Sequence, residues 1–256
     1  MRLHSRKSDG LKFLVSLSIV FALCIFAVSC SAASPAQSAA KMKVLELKQS
    51  HYFFGNLVTL ASLTAIRMED TGSWKFVLVA KAPDWKVTVF RNDDKVYFTC
   101  SLKTFVEGGM VSQFLVGKKF QYIEGGDMET LAATIGGVHV KRVSAKFAAC
   151  EYLPSKTLVS PQAVQILYET LRMPTNGGIA LRFVQQKGGT DWMTGLQDYG
   201  QHIMLSTQSA KMVTVPVSVF DPPVGYKLSK SLREVLISKE SRDSSDDAKD
   251  LFEIKR

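Results

Sequence analysis

The chain is poor in cysteine: Cys24, Cys30, Cys100 and Cys150 are the only four in 256 residues. No two of them stand as C-x-x-C, which excludes a thioredoxin-type redox pair and the common structural zinc sites. Histidine is equally scarce. His51, His139 and His202 lie far apart, His4 falls in the leader, and no H-E-x-x-H occurs. There is also no G-x-S-x-G, no Walker loop and no G-x-G-x-x-G, so the nucleophile elbow and the glycine-rich phosphate cradles are missing. Asp84, Glu107, Asp191 and Asp198 sit in turn-like segments with no carboxylate at a recognisable spacing, so no glycosidase-type pair can be assembled. A hydrolase would need His139 or His202 brought beside a carboxylate and a serine in one cleft. No catalytic residue, metal site or cofactor is expected. No basic stripe with interleaved aromatics is present, which sets nucleic acid aside as a partner. No Asn-x-Ser/Thr acceptor occurs, and this suits a bacterial envelope better than a eukaryotic secretory route.

The most informative stretch present is residues 13–30, FLVSLSIVFALCIFAVSC. Arg2, Arg6, Lys7 and Lys12 precede it against the single acid Asp9, and SAASPAQSAA follows. A basic start, a short apolar core and a small-residue exit read as a secretory signal over residues 1–30. The competing reading is an uncut anchor, but a spanning helix needs about 20 apolar residues and this core is shorter, with Ser16 and Ser18 inside it. Ala27-Val28-Ser29-Cys30 resembles the bacterial lipobox, in which the cysteine is acylated and becomes the new N-terminus, although that pattern usually carries Leu where Ala27 stands. Ordinary cleavage after Ser29, Ala33 or Ala40 stays open, each with small residues at the last and third-last positions. Lipidation of Cys30 gives the Ser/Ala/Pro run of residues 31–41 a purpose as a flexible tether to a membrane. The expected location is the periplasm or outer cell envelope.

Without the leader's four basic residues and one acid, the formal charge of +9 falls by three. The excess is scattered, which fits an anionic surface nearby rather than a charged groove. With no linker in mid-sequence, residues 42–237 are expected to form one domain, followed by a disordered charged tail at 238–256.

Within that domain the two-residue period of a strand dominates. Trp74, Phe76, Leu78 and Ala80 alternate with Lys75, Val77, Val79 and Lys81. Ala82-Pro83-Asp84 ends that strand, residues 85–90 form the next, and Arg91-Asn92-Asp93-Asp94 turns the chain into a third over residues 95–105. In the third strand Val96, Phe98, Cys100 and Leu102 share the apolar side. Helices are expected at 110–119 and 127–134, one long strand at 138–152, and a hairpin of strands 202–206 and 212–220 in which Pro216 signals an edge or bulge. The clearest helix starts at Ser160-Pro161, with Ser160 as cap and Pro161 in the first turn, and places Val164, Leu167, Tyr168 and Leu171 on one face. The five Gly-Gly doublets read as turns. The fold class is therefore α+β, β-dominated: six to eight antiparallel strands in a curved, unclosed half-barrel covered by two or three helices.

Trp74, Phe76, Leu78, Trp85, Phe90, Phe98 and Leu102 give this sheet apolar side chains enough for an ordinary core or for a ligand cavity under the helices. Cys100 and Cys150 are either a disulfide or two buried thiols.

Residues 74–105, with their Pro-containing break and polar turn, resemble the lipoprotein-localisation carriers and receptors of the bacterial envelope, the LolA/LolB-like family. The ending Val215-Pro216, Phe220-Asp221-Pro222-Pro223, Gly225-Tyr226 is similar to that family's Pro-rich exit. The resemblance implies an unclosed antiparallel barrel capped by helices around a cavity for lipid chains, and hence a carrier without catalysis. It leaves residues 108–137 without a counterpart and transfers no functional residue one by one. The expected function is an envelope lipoprotein binding a hydrophobic or lipid-like ligand without catalysis, with a structural or interaction protein docking an envelope partner as the alternative and a secreted hydrolase as the third reading.

Overall fold

The computed structural model describes residues 40–110, 123–154, 156–174, 176–186 and 200–240. The leader with Cys30, nearly all of the tether, most of the helix expected at 110–119, Asp191, Asp198 and the tail from 241 lie outside the described residues.

Among the described residues twelve strands form one sheet that does not close. The first meander is β1 (Lys41–His51), β2 (Gly55–Ala61), β3 (Ala65–Asp70), β4 (Phe76–Lys81), β5 (Val87–Arg91) and β6 (Val96–Cys100), followed by helix α1 (Leu102–Gly108). The second is β7 (Asp127–Ile135), β8 (Val138–Ala145), β9 (Ala148–Pro154), β10 (Gly178–Gln186) and β11 (Gln201–Pro216), with α2 (Pro161–Leu171) between β9 and β10. After a short 3-10 turn, Val217–Phe220, come β12 (Lys227–Leu228) and α3 (Leu232–Leu236). The strand order β12-β6-β5-β4-β3-β2-β1-β11-β10-β9-β8-β7 joins the meanders along β1 and β11. Every pairing is antiparallel except the two-residue contact of β12 with β6.

The two-residue period assigns the faces. Leu45 and Leu47, Ile66 and Met68, Phe76 and Leu78, and Val87 and Val89 meet on the inner face, where α2 seals them with Ala163, Ile166, Leu167 and Leu171. The outer face carries two smaller clusters. Val44 and Ala65 pack on Phe220, while Val77, Val79 and Phe90 pack with Tyr97 and Tyr226. Residues 217–226 thus cross the outer face, tied by Lys81 Nζ donating to Asp221 Oδ1 at 2.6 Å and Tyr226 OH donating to Asn92 Oδ1 at 3.1 Å.

The expected three-strand series appears as β4, β5 and β6, but the third ends at Cys100, not at residue 105. Ser101 stops it: its side chain accepts from Thr104 N and starts α1, so Leu102 is a helical residue. Residues 127–134 form strand β7, not a helix, because pairing with β8 overrides the helix propensity of Met, Glu, Leu and Ala. Gly126 makes that approach possible, since a Cβ there would meet Ser144 O at 2.8 Å. The single strand expected at 138–152 is broken at Lys146-Phe147 into β8 and β9. The hairpin expected at 202–220 is one continuous 16-residue strand, since no turn residue interrupts it and β1 pairs along most of its length. Pro216 is its last residue, where only β1 flanks it, so the missing N–H costs no ladder bond on the other side. These changes raise the strand count above the six to eight expected.

α2 starts at the predicted place, with Ser160 Oγ accepting from Ala163 N at 3.1 Å. Its buried face is centred one residue earlier than expected: Val164 and Tyr168 are half-buried, and Ala163, Ile166 and Thr170 are inside.

Candidate functional site

A cavity of about 660 Å³ lies at the β6 end of the inner face, inside the roughly 300–1,000 Å³ range of small-molecule sites. Alternation along β6 aims Phe98 and Cys100 into it, and the Ser101 cap folds α1 back so that Thr104, Phe105 and Gly108 form a second wall. Gly109, at φ +67°, then turns the chain and brings Met110 into the lining. A side chain at Gly109 would be strained by that φ, and its Cβ would meet Arg172 Nη2 at 3.0 Å. α3 and the residue after it close the remaining side with Leu232, Arg233, Leu236 and Ile237, and Trp74 completes the wall from the β3–β4 turn.

Trp74 is held by main-chain bonds to a buried carboxylate. Asp70 accepts from Gly72 N at 2.9 Å, Trp74 N at 2.6 Å and Lys75 N at 2.8 Å, and the Trp74 indole stacks obliquely on Phe53 at 5.0 Å. Arg91 ties the two walls together. Its Nη1 donates to Trp74 O at 2.8 Å and to Leu236 O at 3.1 Å, while its Nε lies 2.8 Å from Asp93 Oδ1. Partial burial pushes the Asp93 carboxyl up, but the Arg91 hydrogen bond and charge, with backbone donors, outweigh it and hold the group below the usual range.

Of the seven residues expected to line a ligand site, the structure brings Trp74 and Phe98 to the cavity. Phe76, Leu78 and Trp85 are instead buried in the main core, and Leu102 packs against that core from α1. Phe90 belongs to the outer face, with its ring centre 6.0 Å from that of Tyr226, because in β5 it alternates with Val89. Sequence reading missed Phe105, Met110, Leu232 and Leu236. Nothing local to residues 232–237 says that they meet α1 at the cavity.

Cys100 and Cys150 are free thiols, so the disulfide alternative is corrected. β6 and β9 lie near opposite ends of the strand order, and Cys150 Sγ donates to Pro174 O at 3.0 Å. Burial, with the neighbouring Glu151 charge, pushes the Cys150 thiol up to about 12. Cys100 faces the cavity half-buried, and desolvation raises its pKa as well.

The histidines do not converge on the cavity. His51 is buried, and its Nε2 donates to Leu171 O at 3.1 Å, leaving Nδ1 to accept from Phe53 N at 3.2 Å and Phe54 N at 3.3 Å. Desolvation lowers its pKa to about 4 against the smaller opposing effect of the Leu171 carbonyl. His139 Nδ1 bonds Leu131 O at 3.2 Å, and His202 stands opposite Gln185 in the ladder. Asp84 and Glu107 are exposed. Among the described residues no group of three or more His, Cys, Asp or Glu side chains is placed to hold a metal ion, and no helix is long and apolar enough to cross a membrane. No family model matches this chain, and no curated protein matches it.

Proposed function

We propose that this protein is an exported lipoprotein of a bacterial envelope, anchored through Cys30, that binds a hydrophobic or lipid-like ligand without catalysing its conversion. The observation that carries the reading is the cavity of about 660 Å³ walled by Trp74, Phe98, Phe105, Met110 and Leu236. Covering an aliphatic chain there releases about 0.8 kcal/mol per methylene. An open sheet roofed by helices is also the architecture that the resemblance to lipoprotein carriers implies.

Displacement of N-phenyl-1-naphthylamine, an uncharged fluorophore, tests the cavity. Saturable binding is expected, and it should be lost in Gly108→Phe. That glycine lines the cavity, a Cβ added to it would have no atom within 4 Å, and its φ is not positive, so a ring there fills the mouth without backbone strain. Binding that Gly108→Phe leaves intact would place the fluorophore elsewhere and remove the reading. The anchor is tested separately: a Cys30→Ala variant should move from the membrane to the soluble fraction.

A second reading, docking of an envelope protein, is favoured by a different observation. Tyr52, Met128, Phe147 and Ile203 are 44%, 63%, 54% and 55% exposed, and all four lie at the edge of the sheet that carries the β1–β2 and β8–β9 turns. A protein that co-purifies in stoichiometric amount and is lost in Phe147→Glu, with N-phenyl-1-naphthylamine failing to bind, would replace the first reading by the second.

A further inference from the structure

We propose that the cavity takes a single-chain amphiphile with an anionic head group, its tail between Phe98, Phe105 and Leu236 and its head at Arg233. The proposal rests on the reading of the cavity as a ligand site and adds the class of ligand.

Among the described residues that line the cavity Arg233 alone is charged, and it is exposed, which puts its guanidinium at the mouth. Three carboxylates on or near α3 are already engaged. Glu234 accepts from Ser229 Oγ at 2.6 Å and from Lys230 N at 3.1 Å. Asp93 is paired with Arg91, and Asp94 accepts from Lys239 N at 2.9 Å. Glu107 is exposed on α1 and does not line the cavity. Arg233 itself makes no ion pair and no side-chain hydrogen bond with any described residue. A planar guanidinium with all its donors open, set beside an apolar chamber, offers a carboxylate or phosphate two parallel hydrogen bonds while the chain stays dry. A cationic head would meet that charge unfavourably, and a neutral head would gain little from it.

The experiment compares twelve-carbon probes that differ in the head: dodecanoate, dodecyl phosphate, 1-dodecanol and dodecyltrimethylammonium. Each displaces N-phenyl-1-naphthylamine from the wild-type chain and from Arg233→Gln, below the concentration at which it forms micelles. In the wild type, dodecanoate or dodecyl phosphate should bind roughly five- to tenfold more tightly than dodecanol, and the ammonium probe more weakly than either. The stronger of the two anions tells a carboxylate head from a phosphate head. In Arg233→Gln the preference for an anion should vanish, with dodecanol affinity unchanged and an unaltered melting curve. Arg233→Lys should restore part of it. Equal affinity of the wild type for the anions and dodecanol, or a preference that survives Arg233→Gln, overturns the proposal and leaves the cavity reading standing. If dodecanol and the other probes all fail to displace the fluorophore, the cavity reading fails and this proposal falls with it.

Discussion

The β4–β5 pair and the β7–β8 hairpin are both antiparallel ladders of ordinary length, yet they end in opposite environments. Every residue of β5 is buried, and so is all of β4 except Lys81. In β7 no residue is buried, and only Leu131 and Ile135 are half-covered. The difference does not come from the ladder alone, although β7, an edge strand, has one neighbour where β4 and β5 have two each. It comes from what lies across the faces: α1 and α3 cover β5–β6 on the inside, and residues 217–226 cover β4–β5 on the outside. Backbone ladders set the geometry of this sheet, and the added layers decide which part of it carries the stability.

The largest expected effect separates the two regions directly. Phe76 is fully buried and its ring centre lies 5.4 Å from that of Phe54, so Phe76→Ala should cost about 3–5 kcal/mol in denaturant unfolding. Met128→Ala on the exposed hairpin should stay within about 0.5 kcal/mol. Similar losses at both sites would mean that the hairpin is covered in solution.

The next test uses acid. His51 holds the end of β1 to the end of α2 only as the neutral ring, because Nδ1 is an acceptor. Its pKa is lowered from 6.5 to about 4 by burial, so the unfolded chain takes up the proton first as pH falls. Stability from this group is complete above pH ~6.5, declines between ~6.5 and ~4, and is flat below; the total is about 3 kcal/mol. Urea midpoints across that window should show the slope in the wild type, and His51→Gln should flatten it. An unchanged slope in the variant would assign the acid sensitivity to other groups.

Smaller effects follow at the covering layers themselves. Ser160 caps α2 from a buried position, and Ser160→Ala should lower stability by about 1 kcal/mol in thermal or denaturant melts. The Lys81–Asp221 pair that ties residues 217–226 to β4 is half-exposed on both sides. Asp221→Asn should therefore cost no more than about 0.5 kcal/mol, leaving Phe220 as what holds that segment down.

What was legible in the sequence follows the same division. Phe76, Leu78 and Ala80 alternate with Val77 and Val79, so both faces of β4 could be read from a two-residue period alone. Ser160-Pro161 announces α2 through local capping chemistry. The β7 segment defeats local reading because DMETLAAT has helical propensity, and only β8 makes it a strand. The cavity was half legible. Trp74 and Phe98 lie in strands or turns that the alternation locates, whereas Phe105 and Leu236 reach the site by tertiary packing between segments about 130 residues apart. Arg233 stood out least, because a lone arginine in a short amphipathic stretch has no signature until its neighbours are known.

The seam between the meanders bears on how the chain reaches its native state. Lys41 pairs with Pro216 and Leu45 with Met212, so the longest ladder in the sheet joins segments separated by most of the domain. Hairpins such as β3–β4 or β5–β6 close locally and need little loop entropy, but the β1–β11 zip must wait until residues 201–216 have been synthesised. Until then both β1 and β10 present a bare edge, and only the packing of α2 on the inner face joins the two meanders. A chain truncated before residue 200 is expected to remain expanded and to aggregate through those edges. Commitment to the folded state therefore waits on β11, not on the hairpins that close first.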